Sequence, residues 1–165
     1  MTNEVSDLLD SAERHFRLTF NRPPGGSELD TIAVILKAPE DLVLSRLALT
    51  PPGDEDIVVA VEWSGISTGT ERLLWSGRMP HFPGMGYPLV PGYESVGRVI
   101  SAGPQAERQC GERVFVPGAR CFGDVRGLFG GAAARLVVPS RRAVPLSDAI
   151  GAEGVLIAQG GVYTL

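Results

Sequence analysis

Apolar runs in this chain are short, and nearly every one ends at a glycine or a proline. Residues 32–36 (Ile-Ala-Val-Ile-Leu) give way to Pro39, and residues 42–49 to Pro51-Pro52-Gly53-Asp54. Ile57-Val58-Val59-Ala60-Val61-Glu62-Trp63-Ser64 then stops at Gly65. Its β-branched content makes it the strongest strand in the sequence. Residues 95–100, 113–116 and 134–138 are further strand candidates, again set apart by Gly and Pro. With 21 Gly and 13 Pro among 165 residues and no collagen-like period, a helical bundle is disfavoured. The expectation is a mainly β barrel or sandwich. Only residues 70–76 and a run starting near Ala149 read as helix within or after it.

The flanks differ in texture. Val5, Leu8, Leu9, Ala12 and Phe16 recur at helical spacing with Asp7, Asp10, Glu13 and Arg14 between them, which predicts a short amphipathic helix. Pro23-Pro24-Gly25-Gly26-Ser27 then reads as a linker. The expected organisation is an extension and linker over residues 1–30, one β domain over 31–148, and a stub over 149–165. The extension is either a loosely ordered addition, such as an upstream start would give, or a partner-docking helix.

Charge and composition remove several function classes. The net charge is −4, with Lys37 the single lysine beside 14 arginines, and this acidic balance predicts no broad basic face for nucleic acid. No run approaches the roughly 20 apolar residues of a membrane span. The first residues lack the basic and apolar regions of a secretory signal, which makes a cytoplasmic location the expectation. Cys110 and Cys121 are too few for a disulfide framework or a four-thiolate zinc site, and they read as buried or incidental thiols. With only His15 and His81, a protein-built catalytic metal site is also poorly supplied.

Two segments concentrate functional side chains. Ser64-Gly65-Ile66-Ser67-Thr68-Gly69-Thr70-Glu71 is a strand end running through a Gly-flanked turn into a helix start, crowded with hydroxyls. Ser67, Thr68 or Thr70 would serve there as a helix cap. Tyr87-Pro88-Leu89-Val90-Pro91-Gly92-Tyr93-Glu94 aims Tyr93 and Glu94 from a constrained loop. Neither the glycines of residues 123–131 nor Gly151, Gly154, Gly160 and Gly161 have the dinucleotide spacing, and the former read as a flexible loop.

Together with Gly111-Glu112-Arg113-Val114, these segments resemble the medium-chain dehydrogenase/reductase family over roughly residues 31–157. That family's usual pattern is Cys-Gly-Ile-Cys in the first turn, Gly-His-Glu in the second and Gly-Asp-Arg-Val before a later strand. The resemblance implies a GroES-like barrel, the alcohol dehydrogenase N-terminal domain, which in the family precedes a Rossmann domain that binds NAD(P). Residues 151–158 resemble the helix leading out of that barrel, and the Ala-rich continuation is lost from Gln159 onward. The expectation is therefore a chain without a complete Rossmann domain or NAD site.

Departures from the pattern matter as much as matches. Ser67 stands where the family has a zinc-binding Cys, and Tyr93 where it has a zinc-binding His; Glu94 is kept. A Ser hydroxyl and a phenol are poor zinc donors, so no zinc is expected. Ser64 to Tyr93, Arg113 to Gly118 and Gly127-Leu128-Phe129-Gly130-Gly131-Ala132-Ala133 are similar to a zinc-poor branch of the family. That branch implies NAD-linked oxidation of the 3-(1-hydroxyethyl) group of a bacteriochlorophyllide to 3-acetyl. Without zinc a hydroxyl relay must guide the proton. Tyr93 and Ser67 are the expected pair nearest the substrate hydroxyl, with Thr70 third; Glu94 either transfers a proton or orients the turn. Trp75, Arg78, His81, Phe82 and Tyr87 are the expected pigment contacts, Arg78 toward the propionate and His81 toward the magnesium. Trp75, Phe82 and Met85 could equally cover the barrel mouth. A free, non-catalytic GroES-like domain and a zinc-free quinone or enoyl reductase relative are the alternative functions.

Overall fold

The structure, a computed structural model, describes residues 29–151. The helix and linker expected before residue 29 and most of the stub after residue 148 lie outside them. In chain order the elements are β1 (Asp30–Ala38), β2 (Asp41–Ala48), β3 (Asp56–Ser64), α1 (Thr70–Trp75), β4 (Leu89–Val90), β5 (Ser95–Ala102), β6 (Arg113–Val116), β7 (Arg126–Gly127), β8 (Arg135–Pro139), a 3-10 turn (Ser140–Arg142) and β9 (Val144–Pro145).

They form two sheets, one ordered β2-β1-β4-β7 and the other β8-β3-β5-β6-β9. The lead-in to β8 joins them. Ala33 of β1 bridges Ala133, Val34 N–H donates to the Ala132 carbonyl at 2.9 Å, and Val61 N–H of β3 donates to the Ala134 carbonyl at 2.9 Å. One short segment thus satisfies backbone groups on both sheets, which closes the barrel expected from the sequence.

Burial explains why β3 dominates. Ile57, Val58 and Val59 are all buried, as are Leu136, Val137 and Val138 of the neighbouring β8. Both faces of this part of the sheet are therefore covered, and continuous β-branched runs are what such strands require. The main core joins these residues to Ile35, Val90, Val99, Val114 and Val116. Register shifts between Val58 and Val59 and between Val61 and Trp63 bend β3. Its exposed end, Glu62 to Ser64, carries the chain out of the barrel toward Ser67.

A second, smaller core positions the loop between α1 and β4. Leu36, Leu74, Leu89 and Leu128 are buried together, with Met79, Phe82, Met85 and Tyr87 packed against them. The Glu40 N–H donates to the Trp75 carbonyl at 2.8 Å and ties the β1–β2 turn to the end of α1.

The segment 123–131, read from sequence as a flexible loop, is instead a pinned one. Its β7 pairs in parallel with β4, Leu89 against Arg126 and Val90 against Gly127. Ala119 N–H donates to the Phe129 carbonyl at 2.6 Å, and Gly130 N–H to the Val90 carbonyl at 3.0 Å. A Cβ on Gly127 or Gly130 would run into the Ala119 carbonyl, so these glycines permit close backbone approach. A two-residue strand is too short to leave a periodic signal in sequence.

The two thiols separate by environment. Cys121 is buried, and burial pushes its thiol up to about 11, while Cys110 is exposed. A thiolate-selective reagent at neutral pH is expected to label one thiol in the native protein and both after unfolding. Mass spectrometry of the adducts checks this, with the native label on Cys110. Among the described residues no helix is long and apolar enough to cross a membrane.

Candidate functional site

The two motif-bearing loops meet at the open end of β3. Gly65 N–H donates to the Glu94 carbonyl at 2.7 Å, which fixes the loop after β3 against the loop before β5. None of the expected hydroxyls caps α1, whose N-cap is Gly69 without a side-chain cap bond. Ser67 instead closes the turn before it, its Oγ accepting from Thr70 N–H at 3.3 Å and its carbonyl from Glu71 N–H at 3.1 Å. Of the expected hydroxyls, Tyr93 and Thr70 come together, with Tyr93 Oη donating to Thr70 Oγ1 at 3.4 Å. That is long for a bond between hydroxyls. Ser67 is engaged by backbone, and Thr68 is exposed. The Tyr93 ring meets the Phe129 ring edge-on, with centroids 5.2 Å apart and planes at 74°.

Two carboxyl groups follow these hydroxyls directly in sequence. Glu94 is 7% exposed, and burial raises its pKa above the usual carboxylate value. Gly65 makes room for it, since a Cβ there would lie 2.5 Å from Glu94 Oε2. Glu71 was not singled out in the sequence, where an acid in the first turn of a helix reads as a partner of the helix dipole. Both its carboxylate oxygens are buried without a hydrogen-bond partner. Desolvation is the main cause of its raised pKa, and the nearby Glu94 charge adds to it.

A carboxyl whose pKa is higher folded than unfolded binds more protons in the native state. Stability is then greatest below the ordinary value of 4.5 and falls as pH rises through the raised value. Glu71→Gln is therefore expected to raise the melting temperature at neutral pH, with the gain closing as pH drops below that ordinary value. Thermal melts of both proteins across this range check the sign.

The expected pigment wall divides. Phe82 packs into the smaller core, and Tyr87 donates its hydroxyl to the Leu74 carbonyl, so it braces the loop against α1. Trp75 is 39% exposed, Arg78 Nε donates to Ser76 Oγ at 3.3 Å, and His81 is exposed. Beside them lies a cleft of about 420 Å³ whose walls include Phe82, Phe122 and Phe129 together with Arg120, Arg126 and Arg142. These arginines carry no signal in the sequence, because they are scattered along the chain and come to line one cleft only through the fold, Arg126 on β7, Arg142 on the 3-10 turn and Arg120 in the loop after β6.

Among the described residues no group of three His, Cys, Asp or Glu side chains could hold a metal ion. Around Tyr93 the donors are hydroxyls and two carboxyls, a set that fits zinc poorly.

The model of the alcohol dehydrogenase GroES-like domain matches residues 53–148. The chain is 55% identical over 133 residues to the 2-desacetyl-2-hydroxyethyl bacteriochlorophyllide A dehydrogenase of Cereibacter sphaeroides, covering 78% of this chain and 42% of that protein. It is 53% identical over 131 residues to the protein of the same name from Rhodobacter capsulatus, covering 79% and 42%. It thus spans less than half the length of these relatives. Among solved structures it resembles an alcohol dehydrogenase of Escherichia coli CFT073 complexed with NADH, at a TM-score of 0.63 and 22% identity over 78% of this chain and 42% of that one. A putative zinc-binding dehydrogenase of Sinorhizobium meliloti bound to NADP superposes at a TM-score of 0.59 and 25% identity, over 75% and 40%. The first of these likenesses concerns the fold alone. With the family match spanning the barrel and both motif loops, the chain belongs to the alcohol dehydrogenase GroES-like domain family, within the medium-chain dehydrogenase/reductases.

Proposed function

We propose that this chain forms the substrate-binding and proton-handling domain of a dehydrogenase that oxidises the 3-(1-hydroxyethyl) group of a bacteriochlorophyllide to 3-acetyl, without zinc and with NAD as the cofactor of the complete reaction. The observation that carries this reading is 53–55% identity, over more than three quarters of the chain, to two proteins named for that pigment class.

Oxidising a secondary alcohol removes a proton from oxygen and a hydride from carbon. The Tyr93–Thr70 pair suits the proton side. A substrate hydroxyl bound at Tyr93 Oη extends a chain of hydrogen bonds to Thr70 Oγ1. Glu71, next in sequence to Thr70, has both carboxylate oxygens buried without a hydrogen-bond partner, and so holds acceptor capacity beside the pair. The described residues do not fit a dinucleotide: α1 has 6 residues, and no strand leads through a Gly-rich turn into a longer helix. No residue described is therefore assigned to the nicotinamide cofactor.

An absorbance titration of the purified chain with 3-(1-hydroxyethyl) bacteriochlorophyllide a tests this. A saturable shift of the pigment band at one pigment per chain is expected. Absence of saturable binding, or stoichiometric zinc in the purified protein by metal analysis, contradicts the corresponding part of the reading.

A further inference from the structure

Among the described residues, unpaired arginine is unevenly distributed. Arg46, Arg98, Arg108, Arg113, Arg135 and Arg141 each lie within ion-pair distance of an Asp or Glu. Arg72, Arg78, Arg120, Arg126 and Arg142 make no ion pair among the described residues, and the last three all line the cleft of about 420 Å³ beside Phe129. No Asp or Glu lines it. Arg126 spends one N–H on the Tyr87 carbonyl, at 3.1 Å, while Arg120 and Arg142 are exposed at its rim. Three arginines lining one cleft with no acidic residue among the lining make it favourable to an anion, which gains charge-assisted hydrogen bonds there.

The remaining walls define the rest of the ligand. Phe129, Phe82 and Pro117 supply apolar surface, with Phe122 buried behind them in the main core. Phe129 holds a left-handed backbone, with φ of 48°, and its ring reaches from the cleft to the Tyr93 ring. Such strain in a residue other than glycine is kept where its surroundings enforce it, and often at functional sites. A ligand that fits here is planar and apolar, carries a carboxylate at one edge, and reaches the hydroxyl pair past Phe129. The cleft volume suits one edge of a large ring rather than the whole of it.

The geometry points to the Arg120–Arg126–Arg142 cleft as the seat of the pigment's propionate carboxylate. This rests on the pigment reading above, and it moves the anion contact away from Arg78, which does not line the cleft.

The test compares bacteriochlorophyllide a with its propionate methyl ester in absorbance titrations of the chain, of Arg120→Gln/Arg142→Gln, and of Arg78→Gln. The native chain is expected to bind the free acid about 10-fold or more tighter than the ester, a preference that shrinks with added salt. The double variant should lose that preference while keeping the native ester affinity, which also reports an intact fold; Arg78→Gln should keep it. Equal binding of acid and ester by the native chain overturns the carboxylate seat and leaves the pigment reading standing. Loss of the preference in Arg78→Gln alone overturns it as well. Binding of neither pigment overturns both.

Discussion

Tyr93→Phe is expected to lower the rate of hydroxyethyl-pigment oxidation about 100-fold or more, with pigment affinity little changed. The substitution removes only the hydroxyl, so the edge-on packing on Phe129 remains. Thr70→Val should follow in the same direction, because Thr70 Oγ1 is the partner 3.4 Å from Tyr93 Oη. Thr70→Ser should restore most of the rate. Ser67→Ala should behave differently: its hydroxyl accepts from the Thr70 N–H, so the loss is one of stability, of about 0.5–1.5 kcal/mol. Steady-state kinetics of the four variants, each joined to a nucleotide-binding domain that supplies the NAD site, read this. A rate lost in Ser67→Ala and kept in Thr70→Val would restore the Tyr93–Ser67 pairing that the sequence suggests.

Gly130→Ala is expected to destabilise the domain by about 3 kcal/mol or more, combining a left-handed backbone with overpacking. Gly130 has a φ of 75°, and its Cβ would collide with the Ala119 carbonyl and the Phe122 ring. Since Ala119 also takes the Phe129 carbonyl, this crossing of backbones holds Phe129 at the mouth of the cleft. Gly123→Ala is the control. It shares a positive φ, of 59°, but has open space around its Cβ, so it should cost only the backbone term of about 1–2 kcal/mol. Urea unfolding midpoints of the two variants separate steric from conformational cost.

The barrel was legible because its main strands are buried on both faces or end at obligatory turns. Residues 57–64 and 113–116 could be read as strands from β-branched and apolar content alone, and α1 from the hydroxyl-rich turn before it. Strands β4, β7 and β9 were not, because each is 2 residues long and exists through tertiary pairing. At the site, the motif strings led to Ser67, Thr70, Tyr93 and Glu94, but spacing could not say which hydroxyl Tyr93 would meet. That depends on how the Gly65–Glu94 backbone bond and the Ser67 turn set the two loops. Glu71 and the arginine cleft stayed hidden for the same reason: burial and convergence are properties of the fold, and no local pattern records them.

Pigment analysis of cells in which the gene for this chain is disrupted tests the central claim most directly. Accumulation of 3-(1-hydroxyethyl) pigments at the expense of 3-acetyl pigments is the predicted result. An unchanged level of 3-acetyl bacteriochlorophyll a would contradict it.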